Sequence, residues 1–512
     1  MNNKTKTITI STHLGDVVGV QESNGSYFKG IPYGADTSGN NRWRSPQEPE
    51  SWSEAFDASS FGPQCPQFRM GEGGFRGSIA QAYGVEVPPE ETPTESEDCL
   101  RLNVFSPDTN SKEKLPVMFW IHGGALRYGS GDPYLPEGIL SKDIVLVSIN
   151  YRLGELGFFA HPALKQEGNV PTTNFGLLDQ IKGLEWVQKN IENFGGDPSN
   201  VTIFGESAGG LSVAALLVSP LSKGLFHKAI VQSGSFARMA LNAYELNEMG
   251  MTGGMVGKSF CNVCGVEDGP DQIDKMRDLP VEEIIQKGIG GFPSSLFIDE
   301  ISMVSSVIQG FEQGINHKVP TIIGTNADEG TALYWGSPLA DEAPPVNSVE
   351  KYLEIIKQRF REDEEKMLSI YPASDKEEMI NSSKRLLGDS LFGAPSYFAA
   401  KAMAKRGEEI YFYHFNQKPS GEAGEVLGSF HAYEIGYVFG VGGLGPIENQ
   451  ELSDCMLSYW TNFSKTGNPN DSSLPSWEKM QSEKDTWHEL GPSIGENDIS
   501  RLEIYDLLKR VV

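Results

Sequence analysis

The chain has 512 residues, of which 38% are hydrophobic and 22% charged, an ordinary globular balance that excludes a disordered or fibrous chain. Its 42 Lys and Arg against 69 Asp and Glu leave a formal net charge of −27 at pH 7, which disfavours nucleic acid and anionic membrane surfaces as partners. No run of about 18 apolar residues suggests a membrane span, and the opening MNNKTKTITISTHLGD lacks a signal-peptide core, so a cytoplasmic protein is expected.

In chain order, the first thirty residues alternate with period two (TITIST, GDVVGVQ) and predict a small antiparallel edge. Residues 66–98 are Gly-rich, then acidic and Pro-rich, and read as a long surface loop. Short apolar runs at 102–105, 117–121, 144–150, 201–204, 229–232, 321–323 and 410–415 read as strands. Several are almost continuously apolar, as expected where both faces of a parallel sheet are covered. Helical patterns occupy 175–193 and 209–218. Such alternation predicts an α/β fold with a mostly parallel central sheet and helices on both faces. Segments at about 240–315 and 337–400 look helical and irregular, and are expected to cap the C-terminal strand ends. With no linker rich in Pro, Gly or Ser, residues 1–512 are expected to form a single domain.

Two stretches fit the pattern GxSxG, namely Gly205-Glu206-Ser207-Ala208-Gly209 and Gly491-Pro492-Ser493-Ile494-Gly495. Context separates them. The first follows the strand NVTIF and precedes the small-residue helix AGGLSVAALL, the strand–turn–helix setting of a nucleophile elbow. The second is followed by polar ENDIS and carries a proline beside its serine, so it reads as a surface turn.

A serine hydroxyl needs a base within hydrogen-bond reach, and on such an elbow the chain order is nucleophile, acid, base. Of the histidines after Ser207, His227 and His317 precede the best acid candidates, His414 lies inside the strand IYFYHFN, and His488 falls in a late polar segment. His431 remains, between the loop GEVLGS and an apolar stretch. The strand at 319–323 runs into GTNADEG, and spacing alone leaves Asp328 or Glu329 as the acid. The strand VMFWIHGG ends in His122-Gly123-Gly124-Ala125, where small residues let main-chain N–H groups approach a substrate oxygen. Five cysteines leave at least one unpaired within the chain, and the lone CxxC of Cys261 and Cys264 reads as one helical turn carrying two thiols rather than a metal site.

Taken together, FKGIPYG, FGPQCPQ, SEDCLRLNVFSP, PVMFWIHGGA, VSINYRLGELGFF, NFGLLDQ, FGGDPSNVTIFGESAGG, GLFHKAIVQSGS, GTNADEGT, FHAYEIGYVFG and WTNFSKTGNPN resemble the type-B carboxylesterase and cholinesterase-like branch of the α/β-hydrolases, the bacterial carboxylesterases above all. The resemblance runs almost end to end and is weakest at 240–315 and 337–400. It implies the α/β-hydrolase fold, Ser207 as nucleophile, Glu329 rather than Asp328 as acid, and His431 as base. It also implies Gly124, Ala125 and Ala208 as oxyanion N–H donors, and Cys65 with Cys99 as a candidate disulfide closing the 66–98 loop. The implied reaction is hydrolysis of a small-molecule carboxylic ester through an acyl-enzyme on Ser207, with no metal or organic cofactor, by a monomer or weak homo-oligomer. The same machinery would serve an amidase, a carbamate hydrolase or a lipase; a non-catalytic cholinesterase-like binding module is the remote alternative.

Departures from the family pattern narrow the substrate. Cholinesterases place a tryptophan in the cysteine loop to stack on choline, and residues 66–98 contain none, which argues against choline esters. Leu126 and Arg127 follow the oxyanion residues where most members carry an aromatic. Leu126 would widen the pocket; Arg127 would either favour carboxylate-bearing substrates at the mouth or sit in a salt bridge. Glu206 is a further candidate for substrate contact.

Overall fold

Successive side chains of a strand point to opposite faces, and the central strands use both faces for burial. In the strand at 115–121, Val117, Phe119 and Ile121 enter one apolar cluster while Met118 and Trp120 enter another. That division explains why these segments read as unbroken hydrophobic runs. The structure is a computed structural model describing residues 6–69, 74–86, 93–167, 173–235, 240–246, 250–288, 295–336 and 348–509.

Fifteen strands occur among the described residues. The first seven are β1 (Lys6–Ser11), β2 (Asp16–Glu22), β3 (Gly25–Pro32), β4 (Phe56–Asp57), β5 (Arg101–Ser106), β6 (Leu115–Ile121) and β7 (Val145–Ile149). Next come β8 (Gly196–Glu206) and β9 (Lys228–Gln232), then β10 (Leu241–Asn242) and β11 (Phe297–Ile298), which pair only with each other. β12 (Thr321–Asn326), β13 (Ile410–Phe415), β14 (Thr486–Leu490) and β15 (Ile494–Asp498) complete the set. The main sheet runs β1-β2-β3-β5-β7-β6-β8-β9-β12-β13-β14-β15, with β4 beside β2. Pairing is parallel from β7 through β14 and antiparallel at both ends.

The expected parallel α/β architecture is present, and the antiparallel N-terminal edge is larger than expected because β5 also pairs antiparallel with β7. The second GxSxG stretch forms the turn of the β14–β15 hairpin, with Ser493 exposed. One expectation is corrected at 66–98. A Gln64–Glu95 bridge closes the base of this segment, and inside it lies the helix α1 (Phe75–Ala82), which buries Gly77, Ile79 and Ala80. Glycine-rich flanks hide that helix from a periodicity reading.

Three more helices position the site. α2 (Phe175–Asn190) and α3 (Ala208–Val218) pack in the first cluster, whereas α4 (Gln450–Thr466) packs in the second through Tyr459, Trp460 and Phe463. No helix among the described residues is long and apolar enough to cross a membrane.

Candidate active site

β8 ends at Glu206 and α3 begins at Ala208, so Ser207 alone makes the turn, at φ 58° and ψ −122°. Residues with a Cβ rarely hold such a conformation, and it persists here because the surroundings fix it. The Ser207 N–H donates to the Gln232 carbonyl of β9 at 2.9 Å, and its own carbonyl accepts from Leu211 at 2.8 Å. Close approach to β6 requires the flanking glycines. A Cβ on Gly205 would lie 2.6 Å from the Ile121 carbonyl oxygen, and one on Gly209 only 2.0 Å from the same atom.

The two acid candidates left open by spacing have different tasks. Glu329 Oε2 lies 2.5 Å from His431 Nδ1, while its Oε1 accepts from the Asn326 N–H at 2.7 Å and the Ser233 hydroxyl at 2.5 Å. Asp328 instead accepts from the Ser429 N–H at 2.8 Å and forms a backbone bridge with Phe430, clamping together the loops that carry Glu329 and His431. The other histidines after Ser207 are engaged elsewhere: His227 with the Val201 N–H, His317 with the Ser219 carbonyl, His414 with Glu489 and His488 with Tyr459.

His431 is packed between aromatic rings, with Phe392 at 4.7 Å and Phe75 of α1 at 6.1 Å between centroids. Its Nε2 lies 3.1 Å from Glu206 Oε1. Glu206, expected at the substrate, is thus buried with its carboxylate turned to the imidazole. Among the described residues no hydrogen bond engages the Ser207 hydroxyl, while the carboxylate of its chain neighbour Glu206 reaches the imidazole.

Burial alone would lower the basicity of His431, but the carboxylates of Glu206 and Glu329 outweigh it and raise its pKa to about 9. Burial pushes the Glu206 carboxyl well above the usual range, opposed by the His431 charge. A third glutamate, Glu434, is fully buried and also pushed up by burial. It accepts from Asn326 Nδ2 at 2.7 Å and Gln232 Nε2 at 3.1 Å, and Trp460 Nε1 in turn donates to Gln232 Oε1 at 3.0 Å. One imidazole therefore sits amid three carboxyl groups, of which those of Glu206 and Glu434 are pushed toward their neutral forms by burial.

The loop after β6 abuts the elbow: a Cβ on Gly123 would come within 3.1 Å of Ser207 Cβ. Gly124 and Ala125 have φ 105° and 53°, and the Gly124 carbonyl accepts from both Arg127 and Tyr128. This tight turn leaves the N–H groups of Gly124 and Ala125 without a partner among the described residues, and the Ala208 N–H at the start of α3 is equally unspent.

Other expected site residues lie differently. Leu126 is a core residue, 2% exposed. Arg127 faces Glu155 at 3.9 Å and donates to the Gly288 carbonyl, so the salt-bridged alternative holds and its guanidinium is occupied. Cys65 and Cys99, the candidate disulfide, are buried neighbours in thiol contact and stand unbridged. Ser233, Asn326, Gln232, Glu434 and Phe75 went unread in the sequence. Glu434, three residues after His431 in HAYE, left a faint signal; the others converge only through strand order.

A profile described as the Carboxylesterase family matches residues 5–501. The chain belongs to this family. Para-nitrobenzyl esterase of Bacillus subtilis (strain 168) is 32% identical over 482 residues, covering 90% of each chain. Fumonisin B1 esterase of Sphingopyxis macrogoltabida is 33% identical over 486 residues, covering 92% of this chain and 84% of that one. A solved structure of a PNB esterase superposes with a TM-score of 0.80 at 31% identity, covering 98% of this chain and 99% of that chain. As a carboxylesterase, the protein has the α/β-hydrolase fold, and its reaction class is carboxylic-ester hydrolysis.

Proposed function

We propose that Ser207, His431 and Glu329 hydrolyse small carboxylic esters by a two-step acyl-enzyme route. The observation that carries the proposal is the 2.5 Å contact between Glu329 and His431 Nδ1, with the carboxylate of Glu206, chain neighbour of the strained Ser207, 3.1 Å from Nε2 of the same ring. Glu329 fixes the ring so that Nε2 is the nitrogen available to the serine. When an ester enters, the Ser207 hydroxyl closes on Nε2, as catalytic hydrogen bonds tighten in the bound complex. His431 takes the proton as Ser207 attacks the carbonyl, and the unspent N–H groups of Gly124, Ala125 and Ala208 hold the oxyanion, each worth about 3–4 kcal/mol. His431 then protonates the departing alcohol. Water, activated by the same ring, releases the acid and restores the serine.

Glu206 acts on the histidine rather than on substrate: its carboxylate stabilises the imidazolium formed when the serine proton arrives. A fluorophosphonate probe followed by peptide mapping tests the assignment, with Ser207 the labelled residue. Ser207→Ala should lower turnover of a short p-nitrophenyl ester by about 10⁴–10⁶-fold, by analogy with other serine hydrolases. Labelling at another serine, or an alanine variant retaining substantial turnover, refutes it.

A further inference from the structure

A carboxylate can orient an imidazole only while its own loop is held still, since a misplacement of about 1 Å costs about a hundredfold in rate. Glu329 stands at the end of the loop 327–329 that follows β12. Arg501 fastens that loop from outside: its Nη2 donates to the Ala327 carbonyl at 3.1 Å, while the Ala327 N–H donates to the Phe415 carbonyl at 2.9 Å. The Nη1 of the same guanidinium donates to Asp389 Oδ1 at 2.5 Å. Asp389 Oδ2 accepts from the Tyr371 hydroxyl at 2.7 Å. The Asp389 carboxylate is 2% exposed, so solvent ions screen this pair little.

Asp389 opens a five-residue π-helical turn, Asp389–Gly393, which carries Phe392. Such wide turns are rare and concentrate at functional sites. Phe392 is fully buried, and its ring centroid lies 4.7 Å from that of the His431 imidazole. One guanidinium thus ties the loop of the acid to the turn whose ring backs the base. The helix Lys376–Gly388, just before the turn, packs on the acid itself: a Cβ on Gly388 would sit 3.2 Å from Glu329 Cβ. Between these parts lies a cavity of about 20 Å³, lined among others by Ala327, Glu329, Asp389 and Arg501. Packing therefore leaves the loop room to shift on this side, and the Arg501 bond restrains it there. Other buried arginines direct their spare donors to different segments. Arg42 donates to the carbonyls of Met276, Arg277 and Leu279, and Arg152 to that of Arg44.

We infer that Arg501 is a positioning residue for the reaction, holding Glu329 and Phe392 in register with His431 through Ala327 and Asp389. The inference rests on the reading of Ser207, His431 and Glu329 given above. Fork geometry is central to it. A planar guanidinium serves Asp389 and the Ala327 carbonyl at once, whereas a lysine ammonium keeps the charge without the fixed fork. Losing the bond to Ala327 lets Glu329 drift from Nδ1, and a more distant carboxylate favours the imidazolium less.

The test is Arg501→Lys, assayed on a neutral p-nitrophenyl ester. Turnover is expressed per Ser207 site titrated with a fluorophosphonate probe, so unfolded protein does not count. We expect kcat to fall about tenfold with KM changed by less than about twofold. The acid limb of kcat/KM should move to lower pH by about half a unit. On a Glu329→Gln background the same substitution should lower kcat by no more than about twofold, because the group it positions is gone. Arg406→Lys is the comparison for stability alone. That arginine also forks, to the Phe311 carbonyl and to Asn316, and its variant should lose thermal stability while keeping kcat and the limb. Should Arg501→Lys fail to fold, Asp389→Asn loosens the same pair and should show the same fall and shift. Wild-type kcat and limb in whichever variant folds, or an undiminished fall on the Glu329→Gln background, overturn the inference. If Glu329→Gln itself keeps wild-type turnover, the catalytic reading is what fails, and the two failures are distinguishable.

Discussion

Removing the charge of Glu206 should shift the pH at which the enzyme becomes active. Glu206 Oε1 lies 3.1 Å from His431 Nε2. A unit pair at that separation interacts by about 5 kcal/mol at an effective dielectric near 20, a ceiling of about four pH units. Two features reduce it. Burial raises Glu206 itself, so the carboxylate is ionised over only part of the range, and Glu329 keeps its hold on Nδ1. The expected drop in the His431 pKa in Glu206→Gln is therefore about one to two units, from about 9 in the wild type. The sign follows from the pair: a neighbouring carboxylate favours the protonated imidazole, and its loss lets the ring become a free base at lower pH. The acid limb of kcat/KM against pH, measured with a neutral ester, reports this free-enzyme pKa. A limb that stays in place, or moves to higher pH, would refute the reasoning. Stability should follow the same linkage. Because the folded pKa of His431 is raised, the contribution of its ion pairs is complete below the unfolded value near 6.5 and is lost as pH rises through about 9. The loss of thermal stability over that window should be smaller in Glu206→Gln.

Gly209→Ala places a Cβ 2.0 Å from the Ile121 carbonyl oxygen, which neither α3 nor β6 can accommodate without moving. It should cost at least about 1–3 kcal/mol in chemical denaturation and reduce probe labelling at Ser207. Asp179 is wholly buried and accepts from Arg152 Nε at 2.8 Å and Nη2 at 2.7 Å, so Asp179→Ala should destabilise the fold by about 3–5 kcal/mol in a urea titration, by stranding the arginine. A variant of ordinary stability would show that the pair is not buried as described. Thiol titration of denatured, unreduced protein should count five free cysteines; a count of three would mean that Cys65 and Cys99 are bridged.

The sheet was legible because its central strands are apolar on both faces and are separated by helices long enough to show their own period. The β14–β15 hairpin was missed because Ile494–Asp498 is mostly polar, its residues partly or fully exposed, and the hairpin's turn doubles as the second GxSxG stretch. The elbow around Ser207 was legible because only small residues fit so near β6, a demand written in consecutive positions. The reading of Arg127 stayed open between a substrate carboxylate and a salt bridge because its neighbours in the sequence are apolar or aromatic, while Glu155 reaches it only through the fold.

Local pattern and steric demand, acting between residues near in the chain, determine the α/β architecture, the turn at Ser207 and the glycine loop after β6. Tertiary structure decides what spacing left open, that Glu329 rather than Asp328 meets the imidazole, and that Glu206 faces it from the other side. These are contacts across strand order, between residues as far apart as 225 positions, His431 and Glu206. Electrostatic energy depends on distance in space, and the folded sheet, not sequence separation, sets that distance.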